Sequence, residues 1–546
     1  MTAETAPHHA DFIPAPLRRI LPYAALALAV FAVYGNIWDN GYLFDDDLLI
    51  TINSFIRSWS HFGDIWAGST TGGAHIAGGF YRPMQITLYL LMYQLGGGST
   101  VPFHALNLSL HIANACLVYR LGTKIGFKPW GVFLAALVWA VHPLHTEAVT
   151  YMSATADPLF TLFCLLGIIF LLPDFTWRKI LAVTPIFILG LLSKETTAMF
   201  PLLVAVCMFS LSPDRTRWRL YARTIPLWAI TLAYSFWRIH AHGFDGPQTY
   251  ARLYALPQFA TLKMYADHPV DRIYTFFATL PAYLELLIWP HGLHMERAFA
   301  IFTAWWQGPV LIGMTLFAAA LAIIIYSNAA PDRNKALSWG LLWFGAAHAP
   351  DTGLLVQMNS LFLEHWMYLP SAGLFLGIGE TAARALENKP RRYGIAASAS
   401  ALAFALILSA KTYAQNRIWH DPVSFYTNIF DHGEKSARSH NNLALYYGNL
   451  GDYADSLAQF EQAVAISDTY AETRYNMALI YLNMPGDADA DRQQAIDNLN
   501  RAVHIDPSFF RAWEVLSRIY AVQGDKEKAA FCAQKAAAIT AQQPPL

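Results

Sequence analysis

Residues 394–421 read GIAASASALAFALILSAKTYAQNRIWHD, and this stretch decides how the chain is built. From Gly394 to Ala410 it carries no charge. An uncharged apolar run of about 17–20 residues is long enough to cross a bilayer as a helix. Lys411 then opens a polar segment, and beyond His420 no run is apolar enough to span. On the N-terminal side the opposite holds. Long apolar runs alternate with short polar loops from Leu21 to Thr412. The expected architecture is all-α: a polytopic membrane bundle over 1–415, then a soluble helical domain over 420–546.

Composition agrees. Of 546 residues, 55% are hydrophobic and 14% charged, against about 25% charged in ordinary soluble proteins. Such a chain needs the lipid bilayer as its first partner. A net charge of -1 excludes a strongly basic nucleic-acid binder. The four cysteines are scattered, three of them in apolar runs, which argues against a disulfide framework or a zinc cluster.

The apolar runs are approximately 21–37, 103–121, 129–143, 156–172, 179–193, 197–211, 222–240, 308–327, 336–350, 361–379 and 394–412, giving about eleven crossings. The first follows a polar leader and is followed by further runs, so it reads as a span and not a cleaved signal. Arg and Lys cluster in alternate loops: Arg18-Arg19; Arg120, Lys124 and Lys128; Arg178-Lys179; Arg215, Arg217, Arg219 and Arg223; Arg333 and Lys335; Arg384, Lys389, Arg391 and Arg392. The positive-inside rule makes these loops and the N terminus cytoplasmic. Segments 38–102, 144–155, 241–307, 350–360 and the C-terminal domain then lie outside. Residues 272–290 would spoil the alternation by crossing. They are expected to form a helix lying in the outer leaflet, broken at Pro281 and Pro290. Residues 83–96 are too short to cross.

The C-terminal domain repeats with a period of about 34 residues, over 437–470, 471–509 and 510–542. The first unit carries Ala444, Tyr447, Gly451, Phe460 and Ala463. The second carries Ala478, Tyr481, Ala495, Leu499, Ala502 and Pro507, with an insertion around Asp487–Asp491. The third carries Ser517, Tyr520, Gly524, Ala529 and Ala536. The pattern resembles tetratricopeptide repeats, whose solenoids offer a concave face to a peptide or serve assembly alone.

Ionisable residues at the ends of membrane spans are costly and mark sites. Here they occur as Phe44-Asp45-Asp46-Asp47, Tyr81-Arg82-Pro83, His142-Pro143-Leu144-His145-Thr146-Glu147 followed by Asp157, Ser193-Lys194-Glu195, and Glu364-His365-Trp366-Met367-Tyr368-Leu369-Pro370. All fall on the expected outer side. Three consecutive carboxylates can hold a proton or a metal ion, or cap a helix. Arg82 and Lys194 can hold a phosphate. His142 and His145 can orient a leaving group, pair on a metal, or simply hydrogen-bond. A transporter is disfavoured, because 1–412 has no evident internal symmetry and its charges sit at span ends.

In their order and spacing these motifs resemble the transmembrane and tetratricopeptide-repeat O-mannosyltransferases and their bacterial relatives, within the GT-C superfamily of polytopic glycosyltransferases. The resemblance implies an enzyme that moves a sugar from a polyprenyl-phosphate donor to a protein hydroxyl. Alternatives are a lipid or surface-glycan acceptor, or a non-catalytic scaffold presenting the repeats. It implies Asp45 as base and Asp46 as its partner in binding acceptor or a divalent metal (magnesium or manganese), with Asp47 leaving the assignment open by one position. The family's Gly-Arg-Ala-Asp is replaced by Ala154-Thr155-Ala156-Asp157. The missing arginine moves the donor phosphate to Arg82 and Lys194. His142, His145, Glu147, Glu195, Glu364, His365 and Tyr368 complete the implied substrate site. The repeats would dock a protein acceptor. Short leader and loops favour a bacterial inner membrane, with the catalytic loops and repeats periplasmic.

Overall fold

The computed structural model describes residues 15–75, 79–212, 218–241, 268–330, 333–355, 358, 360–485 and 488–542. The residues before 15, Arg215, Arg217, the part of the expected loop between 241 and 268, and Asp487 lie outside the described residues. Regular structure among the described residues is entirely helical. The chain divides into two units, the first running to Asp421 and the second containing the described residues from Pro422 onward.

Helices of eight or more residues in the first unit are α1 (Ala15–Val33), α2 (Pro83–Gly96), α3 (Val101–Ile125), α4 (Pro129–Ala140), α5 (Ala156–Leu171), α6 (Thr184–Leu191), α7 (Phe200–Leu211), α8 (Ile225–Ala241), α9 (Pro269–Ile288), α10 (Gly308–Asn328), α11 (Ala336–His348), α12 (Tyr368–Ala385) and α13 (Arg391–Asn416). Every apolar run of the sequence overlaps one of them. Among the described residues, four stretches are by themselves long and apolar enough to cross a membrane: 101–125, 152–171, 308–328 and 391–419. A fifth is available if Pro129–Ala140 and Pro143–Thr150, bent by 54°, count as one. The remaining runs form shorter helices. Proline and polar turns cut them, as at Pro143, Pro185 and the Glu195–Met199 turn. The count of about eleven therefore relies on short helices completed by their polar flanks.

Small residues set the helix spacing. A Cβ at Gly131 would lie 2.7 Å from the carbonyl oxygen of Gly379, and one at Gly377 would lie 2.7 Å from that of Ala336. So α4 and α11 each meet α12 nearly backbone to backbone, as membrane helices do where small residues line a crossing. Trp139, Trp339 and Trp343 fill the space beside these contacts and are fully buried. The Trp139 indole donates to the Tyr368 carbonyl, and the Trp343 indole to that of Leu369, both at 3.1 Å.

The expected break at Pro281 does not occur. Pro269–Ile288 is one helix of 20 residues with Pro281 inside it. Proline removes the N–H that would have bonded the Phe277 carbonyl one turn earlier. That carbonyl is covered instead by Gly313 of α10, where a Cβ would collide with the Phe277 oxygen. A neighbouring helix without a side chain at the crossing lets α9 continue through its proline.

The second unit holds α14 (Pro422–Asp431), α15 (Ala437–Leu450), α16 (Tyr453–Ile466), α17 (Ala471–Asn483), α18 (Ala488–Ile505), α19 (Phe510–Val522) and α20 (Lys526–Gln542). Helices α15–α20 pair as three antiparallel hairpins. Gly451 and Gly524 turn the first and third at φ +80° and +81°, which side chains rarely allow. Where the two helices of a hairpin cross, Ser456 Oγ donates to the Ala444 carbonyl at 2.7 Å, and Ser517 Oγ to that of Ala529 at 2.9 Å. The first bond runs from second helix to first, the other in reverse. The middle hairpin places fully buried Ala478 and Ala495 there.

Gly313→Ala is expected to lower stability by about 1–3 kcal/mol through overpacking against backbone. Gly345→Ala, whose Cβ meets nothing within 4 Å, should be neutral or slightly stabilising. Thermal unfolding of the two variants in the same detergent checks this contrast.

Candidate active site

The site begins where the chain leaves α1. Phe44 sits at φ +53°, a left-handed backbone that side chains disfavour. Beyond it Asp45 and Asp47 are exposed, while Asp46 is turned inward and only 1% exposed. Asp46 Oδ2 accepts the Leu43 N–H at 2.9 Å. Its Oδ1 accepts the Ser153 N–H at 2.8 Å and the Ser153 hydroxyl at 2.5 Å. Burial pushes the Asp46 carboxyl up to about 7, more than these hydrogen bonds pull it down, and Asp45 adds to the rise. The Asp45 N–H donates to the Tyr151 hydroxyl at 2.9 Å, and the Tyr151 ring stacks on Trp419. Asp47 accepts from the Thr51 hydroxyl at 2.9 Å within its own turn. Asp46 therefore spends three of its acceptor positions on the protein, two on Oδ1 and one on Oδ2.

The two expected phosphate ligands are paired. Arg82 meets Glu195 in a two-pronged contact, Nε to Oε2 at 3.0 Å and Nη2 to Oε1 at 2.6 Å. Lys194 Nζ lies 2.6 Å from Asp157 Oδ1, with both side chains 7% exposed. Asp351, in the turn after α11, lies within electrostatic reach of Lys194, Asp157, His365 and Glu195. Its burial, offset in part by the cations, raises its carboxyl to about 7.

The third group centres on α12. Glu147 accepts the His365 N–H at 3.1 Å and meets its Nδ1 at 2.8 Å. Glu364 accepts the His294 N–H at 3.0 Å and faces Arg297 at 3.3 Å. These contacts link four of the sequence motifs to one another, and the aspartate motif bonds the 151–153 segment that lies between Glu147 and Asp157. Three expected site residues lie deeper. His142 Nε2 bonds the Leu287 carbonyl at 3.1 Å, and its Nδ1 accepts the Leu144 N–H. Tyr368 is fully buried, with its hydroxyl on His111 Nδ1 at 2.6 Å. His145 is also fully buried, its ring packed 4.9 Å from both Trp139 and Tyr368. Pro143 starts a short turn that points this pair into the core, so they support the site and do not line it.

No group of three or more His, Cys, Asp or Glu side chains among the described residues is placed to hold a metal ion. With Asp46 engaged by Leu43 and Ser153, the donor set for magnesium or manganese is not assembled at Asp45 and Asp46.

Sequence reasoning missed Ser153, Tyr151, Arg297 and Asp351. Of these, Asp351 carried a usable signal, an acid directly after an apolar run. Ser153 and Tyr151 act from 107 and 106 residues away, and nothing local marks them.

Asp46 is ionised less readily folded than unfolded, so its contribution is greatest below pH 4 and is lost as pH rises towards 7. Asp46→Asn should be destabilised, since its amide would face the Leu43 N–H donor. That deficit should shrink between pH 5 and pH 8, as read from melting of the two proteins in parallel.

A family described as tetratricopeptide repeat matches residues 437–470. The chain is 24% identical over 418 residues to Protein O-mannosyl-transferase F38B6.6 of Caenorhabditis elegans, covering 75% of this chain and 56% of that protein. It is 30% identical over 294 residues to Protein O-mannosyl-transferase Tmtc2 of Drosophila melanogaster, covering 49% of this chain and 29% of that one. The chain thus spans about half the length, or less, of these curated relatives. In structure it aligns with ArnT from Cupriavidus metallidurans bound to undecaprenyl phosphate, with TM-score 0.37, 13% identity and 92% of each chain covered. Over three quarters of its length the chain is similar in sequence to the protein O-mannosyl-transferases, and the resemblance carried by its short motifs stands.

Proposed function

We propose that this protein is an integral membrane glycosyltransferase, moving a sugar from a polyprenyl-phosphate donor to a hydroxyl of a protein acceptor. The observation that supports it most is the placement of exposed Asp45 on a loop pinned by buried Asp46 to the 151–153 segment, which lies between the charged residues Glu147 and Asp157. Asp45 takes the proton from the acceptor hydroxyl, whose oxygen attacks the anomeric carbon. The bond from that carbon to the phosphate oxygen breaks, and the electron pair leaves with the lipid phosphate. Arg82 engages Glu195 through Nε and Nη2, so its Nη1 can meet the developing charge. Lys194 shares its charge between Asp157 and the phosphate. No step runs through a metal. Asp46 acts by positioning.

The names of the relatives make mannose the first sugar to test and protein the first acceptor. The repeats would present the acceptor segment. The catalytic loops and repeats would face the periplasm across a bacterial inner membrane.

The full chain in lipid nanodiscs, given a labelled polyprenyl-phosphate mannose and candidate acceptor proteins, should release lipid phosphate and label protein. Asp45→Asn should lower that rate by about 10²–10⁴-fold with unchanged melting. An Asp45→Asn protein as active as the parent would refute the assignment of the base.

A further inference from the structure

A cavity lies where the turn at Pro143, the segment 290–293 after α9, and the C-terminal part of α13 meet. It has a volume of about 300 Å³, and Lys411 and Gln415 reach it from α13, a size at the small end of ligand pockets. Lys194, Lys128, Lys179 and Arg82 meet carboxylates. Lys411, like Lys124, bonds a backbone carbonyl, that of Pro290 at 2.9 Å, and it sits 4.5 Å above the Trp289 ring. The carboxylate of the adjoining helix end, Glu285, faces His291 at 3.5 Å.

Three backbone acceptors in the wall are already engaged. Pro290 O takes Lys411, Gly292 O takes Arg297 and His294 Nδ1, and Leu293 O takes Gln415 Nε2. What remains toward the cavity is the charge and the other N–H donors of an ammonium group, which three donors leave unsatisfied by one carbonyl. An occupant supplying anionic oxygens fits such a wall. Immediately before Pro290 in the chain, Ile288 and Trp289 at the end of α9 are 60% and 49% exposed, an apolar and aromatic pair suited to a lipid chain.

We propose that this cavity is a binding site for the phosphate head of a lipid phosphate monoester, with Lys411 as its cation and Ile288 and Trp289 flanking the chain. That the lipid is the polyprenyl phosphate released by transfer rests on the function proposed above. The site is physically tied to the motif histidine. Pro143 lines the cavity, and His142 beside it holds the Leu287 carbonyl two residues before Trp289.

The test uses the full chain in detergent, with farnesyl phosphate as probe and binding read by native mass spectrometry. Farnesyl phosphate should bind, Lys411→Gln should weaken it about tenfold or more, and Lys411→Arg should retain it, as expected for a charge-assisted hydrogen bond. Unchanged affinity in Lys411→Gln, or equal binding of uncharged farnesol, overturns the proposal. Inorganic phosphate competing as well as farnesyl phosphate overturns the lipid assignment in favour of a free anion. Since Lys411→Gln can disturb the bond to Pro290, protection of the Lys411 amine from acylation by farnesyl phosphate gives a second readout on the unaltered chain. Absence of protection again overturns it. Asp45→Asn should bind normally. Failed transfer with Lys411-dependent binding refutes only the transferase reading, and transfer with Lys411-independent binding refutes only this site.

Discussion

A carboxylate buried at the mouth of an apolar bundle must be hydrogen-bonded or neutral, and Asp46 meets that constraint through Leu43 and Ser153. The rest of the site hangs on this anchor. The Ser153 segment that receives Asp46 is itself held from below. Gln85 Nε2 bonds the Ser153 carbonyl, the Tyr89 hydroxyl bonds that of Met152, and Asn107 Nδ2 bonds that of Tyr151. The chain of bonds thus runs from α2 and α3, through the 151–153 segment and Asp46, to a loop whose next residue toward α1 is exposed Asp45. A reacting carboxylate on an otherwise free loop would sample many positions. One held on both sides, by Tyr151 at its N–H and by Asp46 beside it, is preorganised.

The bundle obeys the same rule at the level of the backbone. Where lipid supplies no hydrogen bonds, every carbonyl freed by a proline needs a neighbour. Pro281 frees the Phe277 carbonyl, and Gly313 lets a second helix cover it. The glycines of α4, α11 and α12 work alike, replacing side-chain packing with close backbone approach.

This division explains what the sequence reveals. Apolar runs locate the helices because bilayer length and hydropathy are properties of contiguous residues. The charged motifs mark the loops because charge is scarce elsewhere. Inward and outward aspartates are different. Asp45, Asp46 and Asp47 have the same chemistry and neighbouring positions, and Asp46 is the one met by a serine 107 residues away. The pairing of Arg82 with Glu195 spans 113 residues, so a reading of local motifs sees two candidate ligands and not their mutual neutralisation. Pro281 is misread for a like reason, since its compensation lies on another helix. His145 reads as a site residue beside Glu147, yet the turn begun by Pro143 sends its ring among Trp139 and Tyr368.

The cations, finally, fall into two chemical kinds, and the difference bears on how a lipid phosphate would travel. A buried pair such as Lys194–Asp157 has its desolvation offset by its partner. A phosphate approaching it gains attraction from one charge and repulsion from the other, so the pair favours extra negative charge only as far as the lysine moves toward it. That suits a group whose charge develops during reaction and is held weakly before it. Lys411 has a carbonyl and an aromatic face as its contacts, neither of which repels an anion as a carboxylate does. It suits a fully formed phosphate monoester. On the function proposed above, the carboxylate-paired cations would meet the phosphate as leaving group, and Lys411, bonded to a carbonyl, would meet it as released product.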